Sequence, residues 1–264
     1  MCRPRVQHPL CIALLAAAGS AAVPAVESGS DYTVRLIGGV WGTQLGGDFD
    51  ASSGGTDGDS FDVDEFGLDD LVVSPMVEAG LALPLLFEFH AGAFRYGVDG
   101  TTELTAPRFY NGVQIDGTTT TDVEVTDMFG EVAWRVLGFD LTTVSVGLAV
   151  HYIDASVAID SDTGSERVDE SFPLPALAAR VSSSPWGGWT IDARLHLMAL
   201  EVGDVDANYV DAFAAINYRF TEVIGIQGGY RITDYAIDVE LDGDAEIALD
   251  LAVHGPYLGV VAQF

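Results

Sequence analysis

Segment after segment of this chain alternates with a period of two. In residues 189–198, Trp189, Ile191, Ala193, Leu195 and Leu197 share one parity, and Thr190, Asp192, Arg194, His196 and Met198 share the other. Residues 144–152 set Val144, Val146, Leu148, Val150 and Tyr152 against Ser145, Gly147, Ala149 and His151. Residues 211–220 and 224–233 repeat the pattern. A strand sends successive side chains to opposite faces, so each set covers one side of a sheet. The chain therefore folds as β-structure with one apolar and one polar face, and what remains to decide is which face points inward.

A soluble sandwich keeps its apolar face inside. A membrane barrel inverts this, with lipid outside and a polar lumen within. Two features favour inversion. Aromatic residues stand at strand ends (Trp189, Tyr218, Phe220, Tyr152), where a bilayer interface holds them. The polar faces mix charges of both signs with glycine. The expected fold is all-β: a transmembrane, antiparallel, up-and-down barrel.

Composition agrees. The 264 residues carry 40 acidic and 11 basic side chains, for a net charge of -29, yet 48% are hydrophobic and the mean hydropathy is +0.27. That hydrophobicity excludes disorder, and the negative charge argues against nucleic acid as a partner. Arg3 and Arg5, an apolar stretch at residues 10–18 and small residues through Ala22 and Ala25 read as a secretory signal peptide over residues 1–25, with the barrel domain over 26–264. Cleavage after Ala22 or after Ala25 fits equally. Cys2 and Cys11 both lie in the leader, so no disulfide is expected beyond it. The longest later uncharged runs, 141–153 and 251–264, are too short for a spanning helix.

Ten strands follow from the alternation, over residues 32–42, 71–81, 85–96, 122–136, 141–157, 168–181, 188–200, 208–219, 223–240 and 245–264. Eight or twelve also fit, because the links 43–70 and 97–122 have room for a hairpin. Short links near 82–84, 137–140, 182–187 and 220–222 alternate with long ones at 43–70, 97–122, 158–171, 201–208 and 238–246. The long links hold 26 of the 40 acids and share one side of the membrane. Asn111-Gly112 and Asp242-Gly243 suit tight turns. Several strands change phase: after Tyr152 the apolar set moves to Ile153, Ala155, Val157 and Ile159, and later to Tyr235, Ile237, Val239 and Leu241. Such a change implies a β-bulge or an exit from the bilayer, and is read here as strands continuing beyond the membrane. Pro173 and Pro175 cannot donate to the ladder and suggest a bulge or an irregular wall.

The chain ends Tyr257-Leu258-Gly259-Val260-Val261-Ala262-Gln263-Phe264. A terminal Phe264 with apolar Leu258, Val260 and Ala262 resembles the C-terminal signal of Gram-negative outer-membrane barrels. That resemblance implies a bacterial outer-membrane location and recognition of the last strand by the barrel assembly machinery, with lipid and lipopolysaccharide as surroundings. Residues 62–70 (DVDEFGLDD) and 109–112 resemble segments of uncharacterised proteobacterial outer-membrane proteins.

With apolar faces toward lipid, the lumen receives Arg35, Glu78, Glu88, His90, Glu131, Arg135, His151, Asp192, Arg194, His196, Asp211, Arg219 and Arg231. Buried charge needs partners, so a salt-bridge network filling a narrow barrel is expected, with a gated polar pathway as the other reading. His196, beside Asp192 and Arg194 on one face, is a candidate general base, but no catalytic motif is present and no cofactor is implied. Asp57, Asp59, Asp62 and Asp64 are hard oxygen donors of the kind Ca²⁺ or Mg²⁺ takes, yet their spacing fits no calcium loop; solvated acidic loops are the simpler reading. The expected role is non-enzymatic, structural or for small-solute or cation transport. An outer-membrane hydrolase acting on lipid A or peptides is the alternative, as is a loop-based adhesin or receptor.

Overall fold

A computed structural model describes residues 33–52, 60–83, 86–110, 113–139, 141–202, 205–241 and 245–264. The leader, both cleavage positions, Asp57, Asp59, Asn111-Gly112 and Asp242-Gly243 lie outside these residues.

Ten long strands form the wall: β1 (Val34–Ser52), β3 (Val72–Ala82), β4 (Phe87–Tyr110), β5 (Val113–Phe139), β6 (Thr142–Ser161), β7 (Ser165–Trp186), β8 (Trp189–Val202), β9 (Val205–Arg219), β10 (Ile224–Leu241) and β11 (Ala245–Gln263). A short strand, β2 (Ser60–Asp62), pairs with the far end of β1. Each wall strand is antiparallel to the next, and β11 returns to β1 from Arg35↔Gln263 to Ser52↔Glu246, so the barrel is closed. Closure also uses the chain end: Thr33 and Val34 donate their N–H groups to the Phe264 carbonyl at 2.6 and 3.1 Å. Closure leaves no sheet edge in the spanning region, where lipid offers no hydrogen bonds.

Tilted strands of about 9–11 residues suffice to cross a bilayer. β4 and β5 have 24 and 27 residues. The excess lies at the long-loop end, and much of the expected link 97–122 is wall rather than loop. It adds no extra hairpin, so the strand count stays at ten.

The outward side chains change character along each strand. Toward the short turns they are apolar and exposed: Leu36, Val40, Val77, Val132, Leu148, Val150, Leu177, Ile216, Ile226, Leu258 and Val260. Trp134, Trp186, Trp189, Tyr218, Phe220 and Phe264 ring that end, as interfacial aromatics do. Beyond Tyr152 and Ile232 the outward positions become polar, with Asp154 and Asp160 on β6 and Arg95, Asp99, Thr101 and Glu103 on β4 exposed. The inward face inverts in step. Ile153 and Ile159 continue the parity of Ala149 and His151, all buried, and the β5–β6 register runs unbroken from Thr119↔Ser161 to Arg135↔Ser145. The phase change at Tyr152 is thus the exit from the apolar belt, without a bulge.

Pro173 and Pro175 also keep regular register against Tyr152 and Val150. The expected bulge is absent there. β7 pairs with β8 only from Leu177↔Leu197 toward the short turns, so the prolines sit on a stretch of β7 that is laddered to β6 and lies beyond the end of the β7–β8 ladder. A proline costs a sheet least where its missing N–H has no strand to pair with. Register shifts occur elsewhere, between Leu104 and Arg108, Arg135 and Leu137, and Ser183 and Trp186.

Candidate functional site

The barrel interior is the densest assembly of chemistry-bearing side chains in the described residues, and it is layered. Nearest the short turns, Arg35 donates to Asp192 at 2.8 Å and to the Asn217 Oδ1 at 2.9 Å. Arg135 donates to Glu88 at 2.6 Å, and the Ser145 hydroxyl reaches the other Glu88 oxygen at 3.2 Å. Above them Glu78 is the hub. Its two oxygens take Arg194 at 2.9 Å and Arg180 at 3.4 Å, with His90 at 3.9 Å. Arg180 also grips Glu131 through its Nε at 2.7 and 2.8 Å. Asp211 accepts from Arg231 Nε at 2.7 Å and Arg194 Nη2 at 3.0 Å.

Period two delivers these partners. Asp127, Glu131 and Arg135 share the inward parity of β5, and Asp192, Arg194 and His196 share that of β8. Because neighbouring strands are antiparallel and in register, Arg194 stands opposite Phe213 and His196 opposite Asp211. Opposite charges from different strands therefore meet across a narrow bore. Each such pair stabilises only because both members are present; removing one leaves an uncompensated buried charge.

At mid-height lies a four-membered chain. His151 Nδ1 contacts both Asp127 oxygens at 2.9 and 3.0 Å, His151 Nε2 meets His196 Nδ1 at 2.8 Å, and His196 Nε2 meets Glu131 at 3.1 Å. The Tyr209 hydroxyl lies 3.0 Å from His151 Nδ1. Both imidazoles are fully buried. This differs from the arrangement suggested by the β8 sequence: Asp192 is held by Arg35 and Asn217, and His196 is oriented by Glu131 and His151 instead.

The expected inward residues Arg35, Glu78, Glu88, His90, Glu131, Arg135, His151, Asp192, Arg194, His196, Asp211 and Arg231 all join this interior. Arg219 lies apart, half-buried at the short-turn end beside an open depression formed with Gly188, Phe220, Thr221 and Glu222. Asp127, Arg180 and Tyr209 escape a reading of charges strand by strand. The parity of Glu131 and Arg135 already places Asp127 inward, which is the signal that would have found it. His254 turns to the outer face, where its Nδ1 lies 2.9 Å from the Tyr230 hydroxyl.

Over the polar layers the lumen becomes apolar. Trp41, Phe94, Tyr96, Val123, Val125, Ile153, Leu174, Tyr235 and Val253 pack as one cluster. Arg231 joins the layers, its guanidinium carbon 3.9 Å from the Phe94 ring centre and 5.2 Å from that of Trp41, a cation–π arrangement. The acidic segment 62–70 caps the cluster. Its Asp62, Asp64, Glu65, Asp69 and Asp70 are exposed, while Val63, Phe66 and Leu68 are fully buried. A single 3₁₀ turn, η1 (Asp64–Phe66), makes this inversion, ending on Gly67 at φ 67°. Asp62 Oδ1 accepts from the Asp64 N–H at 3.0 Å, so these two candidate metal donors serve a turn. Leu258, Val260 and Phe264 of the last strand face outward and are exposed, and Ala262 is half-buried.

No family model and no curated protein matches this chain. Solved structures do. The outer membrane protease OmpT of Escherichia coli superposes with a TM-score of 0.61 over 90% of this chain and 98% of its own, at 8% identity. Neisserial surface protein A aligns over 90% of this chain and 100% of its own, at 10% identity and a TM-score of 0.36. The Pseudomonas putida toluene transporter TodX aligns over 88% and 90%, at 8% identity and a TM-score of 0.35. At such identity the first of these likenesses speaks to fold alone, and with closure and the apolar belt it gives the conclusion: this chain has the ten-stranded barrel fold of Gram-negative outer-membrane proteins.

Proposed function

We propose that this chain is a closed, non-conducting barrel of the bacterial outer membrane, whose lower half anchors it in lipid and whose upper half presents a tall acidic wall to the outside. One observation carries the reading: the lumen is filled from the Arg35–Asp192 layer up to Phe66. Ion pairs occupy the lower layers, and an apolar cluster with its cap occupies the upper ones. A cation pathway would need a continuous polar bore. The same filling disfavours the hydrolase alternative, since His151 and His196 lie under the cap and out of reach of a lipid or peptide. A receptor or adhesin role on the acidic wall remains compatible.

The surroundings follow from this placement. Lipid and lipopolysaccharide contact the belt, with divalent cations between the acidic wall and anionic lipopolysaccharide. The assembly machinery engages Leu258, Val260, Ala262 and Phe264, and residues 1–25 direct export. The test is single-channel recording of detergent-refolded protein in a planar bilayer. A silent bilayer with folded, heat-modifiable protein is expected; discrete cation-selective steps would overturn the proposal.

A further inference from the structure

Ordinary buried histidines use one ring nitrogen as donor and the other as acceptor. In the pair at mid-lumen, each ring turns one nitrogen to a carboxylate and the other toward its partner ring. We propose that His151 Nε2, His196 Nδ1 and an Asp211 oxygen form a binding site for one divalent transition-metal ion of the Zn²⁺ class. This goes beyond the closed-barrel reading and does not depend on it.

The geometry is close to what such an ion requires. The two nitrogens are 2.8 Å apart, and Asp211 Oδ2 lies 3.7 Å from His196 Nδ1. One donor atom from each of the three residues lies within 4.8 Å of the others. Ligands bound at about 2.0–2.2 Å around a tetrahedral ion stand roughly 3.3–3.5 Å from one another, so the nitrogens need part by only about half an ångström. Two imidazoles and a carboxylate are a donor set suited to Zn²⁺ and its neighbours rather than to Ca²⁺ or Mg²⁺.

The outer partners are those of a metal centre. His151 Nδ1 is held by Asp127 and His196 Nε2 by Glu131. A carboxylate on the remote nitrogen fixes the ring and tautomer of a metal-ligating histidine and raises its basicity. Both histidines have this support, from two inward positions of β5.

A carboxylate only accepts, so His151 Nδ1 and His196 Nε2 must each carry the proton. With both rings neutral, the lone pairs of His151 Nε2 and His196 Nδ1 would face each other at 2.8 Å, an opposition that a shared proton or a metal ion relieves. Among the described residues of the ion-paired wall, Glu78, Glu88, Asp127, Glu131, Asp192 and Asp211 face Arg35, Arg135, Arg180, Arg194 and Arg231, with His90 beside Glu78 and Glu88. Asp127 is the acid held by His151 and Tyr209 rather than by an arginine. A lone proton would answer the nitrogens alone, whereas a metal ion also uses Asp211, which register sets opposite His196. Asp211 keeps Arg194 and Arg231 while ligating, because each carboxylate oxygen has two lone pairs.

The site is closed to solvent, so the ion enters as the barrel folds. The full chain is refolded in detergent with Zn²⁺ or with Co²⁺, dialysed against chelator, and assayed for retained metal and for Co²⁺ ligand-field absorption. One equivalent of Zn²⁺ retained, with visible Co²⁺ bands, is expected. H151Q and D211N should lose both signals, and H254Q, on the outer face, should keep them. D127N retains a hydrogen bond to His151 and so protects folding; it should weaken retention about 10–100-fold. Folded wild type that retains no metal and shows no bands would overturn the proposal and leave a shared proton in the gap. Retention unchanged in H151Q or D127N would overturn it as well, placing the ion on the acidic wall.

Discussion

Among single residues, what decides a substitution's cost is whether its charge is balanced inside the bore or outside it. Glu78 joins Arg180 and Arg194 in the buried network, whereas Arg95 and Glu124 pair at 2.6 Å on the exposed outer face. E78Q should lower stability by about 3 kcal/mol, read as a lower temperature of heat-modified migration in detergent. R95A should shift it by less than about 0.5 kcal/mol. Asp234 offers a pH test. It is the first outward acid beyond Ile232, and partial burial, helped by Asp250, raises its carboxyl above the usual range. A raised folded-state value favours folding in acid and is a penalty once pH passes through that value. D234N should therefore raise the thermal midpoint at neutral pH, by under about 1 kcal/mol, and leave it unchanged in acid well below the carboxylate range. The site was partly legible at this scale. Parity placed Glu131, Asp192, Arg194 and His196 inward, because period two is local. It could not say that Asp192 would meet Arg35 from across the barrel rather than His196 on its own strand, since that depends on closure.

At the level of elements, the acidic segment 62–70 behaves as a lid whose charges hide its function. Its apolar residues are spaced to enter the barrel mouth, and Gly100 makes room for them: a Cβ there would stand 2.0 Å from the Phe66 carbonyl oxygen. G100A should displace the turn, costing about 1–3 kcal/mol and speeding proteolysis within residues 60–70 of the folded barrel. G130A, with nothing within 4 Å of its added Cβ, should be silent in both assays. Strand number was readable because short turns alternate with long connections. Strand length was not. The stretch 97–122 is rich in Thr, Gly and acids, which looks like loop when lipid-facing apolarity is the guide, yet it forms wall wherever water faces one side and a core the other. Pro173 and Pro175 mark an irregular wall rather than a bulge: the β7–β8 ladder ends at Leu177, and where it ends cannot be seen from β7 alone.

For the whole molecule, one closed wall crosses two solvents and exchanges its inner and outer polarity where it passes from one to the other. Below Tyr152, apolar residues face out and charges face in; above it, acids face out and an apolar cluster fills the bore. A continuous register through the change means that the inversion is written in the side chains alone. Spin labels placed singly on β6 in a Cys2→Ser, Cys11→Ser background, in reconstituted liposomes, test this most directly. Oxygen should relax labels at Leu148 and Val150, a water-soluble nickel complex should relax those at Asp154 and Asp160, and neither should reach Ile153. Nickel access at Leu148, or oxygen without nickel access at Asp154, would contradict the inverted barrel.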